Sequence, residues 1–542
     1  MGDDGNVRRP LRLPRTRETP GNSSLTMKPF VMVDYMLQAG KTLLASYQRR
    51  LAPVVPRGGY AVTRIDEKLL EERLTALESV RPWTPRLISK LESHIRSASD
   101  TELLRINPLR FAADKSLGEL ETIDLFLHAA ALGLFEMNWN LICPNCSCVI
   151  DSFRALKNLN SHCRCTICHV DLVAALDDMI AITFTVSPSI RRIAYHDPET
   201  LPAEDYLLRY ASAAEGLITD GTPFAKVKEM LTRAVAYLEP GKTIQIEVEA
   251  EAGALYGFSI DGDAGFLLPI DPALPASEQR VAIRCDENSC QPNSVTLPPG
   301  RLTLAITSSG KKRVALGVFQ FPPNVDRPPP LHFAPFLSGK QLLTTQTFRD
   351  LFRSEVIRGQ EGLSVKDIAL LFTDLKGSTA LYDRIGDLNA FALVQQHFGR
   401  LQEVTVRHNG AIIKTIGDAV MAAFLKPADA VQAALEMRKE IASFNERQPD
   451  KALILKIGVH KGAAIAVTLN DRLDYFGQTV NIAARVQNLA DADEIFVSQD
   501  VYEAMGVRDE LAGYSVESKS AQLRGVRQEL PVFRVGAAAT AA

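Results

Sequence analysis

The chain of 542 residues lacks any apolar run of the about 18 residues that a membrane-crossing helix needs. Its opening stretch, "MGDDGNVRRPLRLPRTRETPGNSS", has no apolar segment of the signal-peptide kind, so a cytoplasmic protein without a membrane span is expected. Positive charge is not in excess: 61 Lys and Arg stand against 64 Asp and Glu, a net charge of -3. That balance argues against a surface built for nucleic acid, so any anionic ligand must be held by local groups. Cysteine is sparse, with eight residues, and in a cytosolic chain such thiols stay reduced, so disulfides are not expected. Six of the eight nevertheless crowd between Cys143 and Cys168.

What is present exceeds a single core, and several domains are expected. Residues 1–26, rich in Arg, Pro and Gly, read as a disordered tail. Residues 27–189 read as a helical region. "DEKLLEERLTALESV" and "TPRLISKLESHIRSAS" place Leu and Ile at helical spacing with charges opposite. "LLRINPLRFAADKSLGELETIDLFLHAAALGLFEMNW" reads as short helices joined by turns. It could form a helix-turn-helix or winged-helix unit that grips DNA, but without a dense basic face a protein-facing bundle is the expectation.

Within that region lies "CPNCSCVIDSFRALKNLNSHCRCTICHV". Cys143 with Cys146, and Cys165 with Cys168, are two C-x-x-C knuckles at zinc-ribbon spacing (143–168). Four thiolates leave no open position for water, so the expectation is one structural Zn²⁺ per chain. Cys148, Cys163, His162 and His169 are alternates, any of which could replace an assigned ligand.

From 190 to 322 the pattern alternates, as in "TIQIEVEAEAGALYGFSI" and "KRVALGVFQF", with Gly, Pro and Asn turns between, and a small antiparallel sandwich is expected as a regulatory domain. Cys285 and Cys290 read as incidental loop residues. Residues 323–362 supply a proline-rich connector and a helical coupler, "GKQLLTTQTFRDLFRSE". The last unit, 363–537, opens with "DIALLFTD", an apolar strand that ends on Asp374 where a helix begins, and then has "AIIKTIGDAVMAAF", a hairpin with Asp418 at its turn. Two carboxylates at neighbouring strand ends suit divalent cations and the phosphates of a nucleotide. Alone, an aspartate before Gly-Ser-Thr is an ordinary cap, and a lone hairpin lysine an ordinary solvated side chain.

The segments "FTDLKGST", "IIKTIGDAVMAAF", "KIGVHKGAAIAVTLNDRLDYFGQTVNIAARV" and "LRGVRQELPVFRV" together resemble, in order, the signature regions of the class III nucleotidyl cyclase catalytic domain. The cysteine-bearing N-terminal part resembles the poorly characterised region before that domain in some bacterial cyclases. The resemblance implies an α/β (α+β, ferredoxin-like) catalytic domain and a lyase activity that makes 3′,5′-cyclic AMP and pyrophosphate from ATP. It implies that Asp374 and Asp418 hold two Mg²⁺ or Mn²⁺ per active site, and that Leu375, Gly377, Ser378 and Thr379 form the phosphate turn. Lys414 and Asp474 match the pair that reads the base. Lysine donates to adenine N1 and the carboxylate accepts from the 6-amino group, whereas guanine-using relatives carry Glu and a small or thiol residue. Asn481 and Arg485 match the transition-state pair, and Arg524 a contact to the terminal phosphates. Family members draw these sets from two subunits, so a head-to-tail homodimer is implied, regulated through the N-terminal region by an undetermined ligand or protein. The alternatives are a guanylyl cyclase or a catalytically weak nucleotide-binding signalling module.

Overall fold

The structure, a computed structural model, describes residues 65–323, 331–358, 361–447, 453–523 and 529–538. The expected tail, most of the proline-rich connector and Arg524 lie outside the described residues.

The helical region opens with Glu67–Val80 and Leu87–Ser97. Asp66 caps the first by accepting from the Leu69 N–H at 3.0 Å, and Leu70, Leu74, Leu77, Leu91 and Ile95 are buried. Pro108–Asp114 and Glu119–Ala131 follow. The expectation of helices through to "FEMNW" needs correction. Phe135–Ile142 is the central strand of a three-stranded antiparallel sheet, between Val149–Phe153 and Ile180–Val186. It carries fully buried Trp139 and has no exposed position, yet "FEMNWNL" alternates apolar and polar residues in period two, the pattern of a strand.

Thr232–Phe321 forms two four-stranded sheets that share a core containing Leu255, Phe266, Leu304 and Leu316. It is not antiparallel throughout: Gln279–Cys285 runs parallel to Gly300–Ser308, because the connection over 286–299 is long enough for a crossover. Against the expectation that no cysteines pair, Cys285 and Cys290 form a disulfide. They face each other in a short antiparallel bridge with Cα atoms 4.1 Å apart.

The C-terminal unit consists of β1 (Leu363–Leu375), α1 (Ser378–Ile385), α2 (Asp387–Arg407), β2 (Gly410–Ile416), β3 (Ala419–Phe424), α3 (Pro427–Arg447), β4 (Leu455–Leu469), β5 (Arg472–Phe476), α4 (Gln478–Asn488), β6 (Ile495–Ser498), β7 (Tyr514–Ala521) and β8 (Leu530–Ala538), with two one-turn helices, Gln499–Tyr502 and Val507–Glu510, between β6 and β7. Among the described residues the sheet order is β2-β3-β1-β4-β6-β8-β7, with β5 pairing β4 outside that path. Helix α2 ends at Arg407. The chain turns at Asn409 (φ 59°), and Gly410 starts β2.

Side chains of β1 alternate between two cores. Ala369, Leu371 and Leu375 pack with Leu401, Val431 and Ala434 from α2 and α3. Ile368, Leu370 and Phe372 point the other way and share a core with Trp139, Ile180, Leu342 and Phe348. The N-terminal region thus covers the second face of the catalytic sheet, and Asp374, two residues beyond Phe372, emerges at the edge of that covered face.

Candidate active site

Strand β1 pairs with β3 so that Thr373 stands opposite Val420, and the Thr373 hydroxyl accepts from the Val420 N–H at 3.2 Å. That register brings the end of β1 alongside the β2–β3 turn. Burial, and next the charge of Asp418, hold the Asp374 carboxyl above its usual range. The Asp418 Oδ2 atom is buried with no hydrogen-bond partner. A buried, unpaired carboxylate oxygen facing a second carboxylate is the donor chemistry that hard divalent cations take, so these residues fit the cations the resemblance implies.

One charged neighbour was not foreseen from the sequence. Lys456 stands opposite Asp374 across the β1–β4 pair, with Nζ 3.9 Å from the carboxylate, and lowers its proton affinity. The pairing that places it there is non-local, so only alternation along "LKIGVH" could have pointed to it.

After Leu375 the chain turns through Gly377 at φ 74°, a left-handed conformation that glycine adopts without steric cost, and α1 starts at Ser378 with Thr379 in its first turn. The backbone N–H groups of Ser378 and Thr379 lie where a helix offers unpaired donors to an anion.

Lys414 and Asp474 come together from two strands: Nζ of the first donates to Oδ2 of the second at 2.5 Å. Asp474 is buried at 6% exposure and its other oxygen accepts from the Tyr475 N–H at 2.7 Å. Asn481 and Arg485 lie one turn apart on α4. Asn481 is exposed and Arg485 half-buried; neither side chain makes a hydrogen bond among the described residues. Helix α4 can seat here because β4 carries Gly458, where a Cβ would meet the Gln487 backbone N at 2.1 Å.

Apart from this site, the Sγ atoms of Cys143, Cys146, Cys165 and Cys168 all lie within 4.8 Å of one another, all buried. Of the alternates, Cys148 Sγ reaches to 3.5 Å from Cys165 Sγ, Cys163 bonds the Leu172 carbonyl, and His169 turns to Asp263. A tetrahedral thiolate set for zinc fits this cluster.

Residues 71–350, more than half of the 542, match the model of a family of unknown function, DUF5939, and the chain belongs to that family. Residues 362–534 match the model of the adenylate and guanylate cyclase catalytic domain. The C-terminal unit is therefore an adenylate and guanylate cyclase catalytic domain. Putative adenylate cyclase 3 of Rhizobium meliloti is 28% identical over 28% of this chain and 25% of its own length. A pH-sensitive adenylate cyclase of Mycobacterium tuberculosis is 30% identical over 32% of this chain and 42% of its own. The chain thus spans less than half the length of either relative. Among solved structures, the adenylyl cyclase CyaB of P. aeruginosa is 20% identical and covers 33% of this chain and 98% of its own, with a TM-score of 0.30. The guanylate cyclase domain of RhGC from Catenaria anguillulae, in complex with GTP, is 19% identical and covers 32% of this chain and 99% of its own, with a TM-score of 0.30.

Proposed function

We propose that the protein is an adenylyl cyclase that converts ATP to 3′,5′-cyclic AMP and pyrophosphate at sites shared between two copies of the chain. The observation that carries the choice of ATP is the Lys414–Asp474 pair, 2.5 Å apart and partly sequestered from water. An ammonium donor beside a carboxylate acceptor complements the N1 and 6-amino edge of adenine. Guanine presents a donor and an acceptor in the reverse places, and would leave both groups unpaired.

Asp374 and Asp418 would hold two Mg²⁺ or Mn²⁺ ions, which supply charge neutralisation for the triphosphate and acidify the ribose 3′-hydroxyl. The Gly377–Thr379 turn receives phosphate oxygens. The 3′-oxygen attacks the α-phosphorus in line, a P–O bond forms, and pyrophosphate leaves with the electron pair of the bond that breaks. Asn481 orients the ribose and Arg485 meets charge developing on the α-phosphate, which suits two side chains with no partner of their own. Arg524 is assigned to the terminal phosphates by resemblance. The metal carboxylates of one chain work with the base pair and α4 of the other, so a monomer is inactive. The cysteine cluster holds one structural zinc, and the N-terminal region regulates the output.

The test is cyclic nucleotide formation by the full chain with Mn²⁺, on ATP and GTP in parallel. It is run beside Asp374→Ala, Arg485→Ala and their equimolar mixture. Cyclic AMP from the wild type, a loss of about 10³-fold in each variant, and recovery towards a quarter of wild-type activity in the mixture are expected. Cyclic GTP product in excess, or a mixture as silent as its components, overturns the substrate or the shared site respectively.

A further inference from the structure

The short helix Gln346–Leu351 lies between the N-terminal region and the catalytic sheet. On one side, Phe348 packs edge-on against Trp139, with ring centroids 6.0 Å apart, and the Thr347 hydroxyl donates to Asp124 at 2.7 Å. Asp124 is itself paired with Arg81 at 3.0 Å. On the other side the helix touches the backbones of both strands that carry the base-reading pair. Gln346 Oε1 accepts from the Ile412 N–H at 2.8 Å, two residues before Lys414. The Arg349 guanidinium donates through Nη1 to the Leu473 carbonyl at 2.9 Å, one residue before Asp474. Its Nε donates to the Leu343 carbonyl at 2.8 Å, which anchors it to its own segment.

Among the described residues those two strands do not pair with each other; Ile413, Leu473 and Tyr475 share one apolar cluster with Phe348 of the helix. Among the described residues β2 is the last strand on its side of the sheet and β5 pairs only with β4. They meet through Lys414 and Asp474 and through this helix. The register of β2 against β3 also shifts between Ile412 and Lys414, and a bulge of that kind leaves the direction of the next side chain adjustable. A cavity of about 240 Å³, lined by Gln346, Arg349, Ile412, Lys414 and Leu473 among others, lies beside the helix and the strands. Beside the packing of Phe348 with Ile413 and Tyr475, the hydrogen bonds from Gln346 and Arg349 make the polar part of the connection.

We propose that Gln346 and Arg349 form a clamp that sets the spacing of Lys414 and Asp474, so that these two positioning residues determine how well the site tells adenine from guanine. The clamp rests on the reading of Lys414 and Asp474 as the base-reading pair. It also gives the family of unknown function a physical handle on the reaction. A shift of Trp139 or Asp124 moves the helix, and the helix moves both halves of the base site.

The test compares full-length wild type, Asp474→Ala, Arg349→Met, Gln346→Leu and Gln346→Glu, each with Mn²⁺ over ranges of ATP and GTP. Losing one hydrogen bond of ordinary strength corresponds to about fivefold. Arg349→Met and Gln346→Leu are therefore expected to raise KM for ATP about fivefold, to leave kcat within about twofold, and to lower the ATP-to-GTP ratio of kcat/KM by about fivefold. Gln346→Glu keeps an acceptor for the Ile412 N–H but exchanges the amide donor to Asp350 at 3.0 Å for a like charge, and is expected to fall between wild type and Gln346→Leu. A merely misfolded fraction lowers kcat and leaves KM and the ratio alone, so it does not imitate the clamp. Equilibrium binding of 3′-deoxy-ATP and 3′-deoxy-GTP, which lack the attacking oxygen, reads the same ratio without turnover. If Asp474→Ala erases discrimination while Arg349→Met and Gln346→Leu keep wild-type KM and ratio, the clamp is wrong and the base reading stands. If Asp474→Ala leaves the ratio unchanged, the base reading fails and the clamp fails with it.

Discussion

At the scale of single residues, the two aspartates at the head of the site are in tension. Burial and the Asp418 charge both hold the Asp374 carboxyl above its usual range, with Lys456 opposing, and Asp418 Oδ2 has no partner. A carboxyl with a raised folded-state pKa takes its proton before the unfolded chain does. Its contribution therefore favours the fold at low pH and is lost as pH rises from the usual carboxylate value through the raised one. Above that window, two like charges face each other unless a cation intervenes. Asp418→Asn removes one of them. In metal-free protein at pH 7.5 it is expected to raise Tm by about 1–2 °C, while Mn²⁺ raises Tm of the wild type and not of the variant. Scanning fluorimetry with and without Mn²⁺ decides. A variant that melts lower than wild type without metal, or that keeps the Mn²⁺ shift, removes the carboxylate pair from the metal site.

The elements differ in how plainly the sequence announced them, and the cause in each case is where the information lies. β1, the β2–β3 hairpin and α4 are local patterns, and Asp374, Asp418, Asn481 and Arg485 could be numbered from them. The strand Phe135–Ile142 carries a period-two alternation in "FEMNWNL", but it follows directly on the helical run "IDLFLHAAALG" and reads as its continuation. The parallel pairing of Gln279–Cys285, and the bonds from Gln346 and Arg349 to β2 and β5, depend on contacts that a linear pattern does not carry. The cysteine knuckles lie at the other extreme, fixed by spacing alone, and they close at the end of the strand that holds Trp139. If zinc holds them, they are stable only with metal. Purified protein is expected to contain about one zinc per chain. Cys143→Ser and Cys168→Ser should lose it together with several degrees of Tm, and Cys163→Ser, whose sulfur lies outside the cluster, should keep both. Elemental analysis with thermal melts checks this. Full zinc in Cys168→Ser, or none in the wild type, rules out the four-thiolate site.

At the scale of the molecule, the N-terminal region is part of the core of the catalytic domain rather than a module on a tether. Leu176, Ile180, Leu337, Leu342 and Phe348 are at most 1% exposed and share one apolar cluster with Ile368, Leu370, Phe372, Ile413, Met421 and Tyr475 of the cyclase sheet. An ion pair and a backbone hydrogen bond run along the same seam. Asp177 receives Lys340 Nζ at 3.0 Å and the Lys366 N–H at 2.7 Å. Each large apolar side chain uncovered there costs about 1.5–3 kcal/mol, and half a dozen together rival the whole stability of an ordinary domain. A fragment beginning at residue 361 is therefore expected to be recovered as aggregates, or as a species that binds hydrophobic dye and melts at least 10 °C below the full chain. A fragment beginning at 336 restores Leu337, Leu342, Leu343 and Phe348, and should recover part of that difference. Size-exclusion chromatography with thermal melts compares the three. A fragment from 361 that is monodisperse and as stable as the full chain would show that the shared core contributes nothing to the catalytic fold. Regulation would then have to pass through the coupler helix alone, by the hydrogen bonds to Ile412 and Leu473.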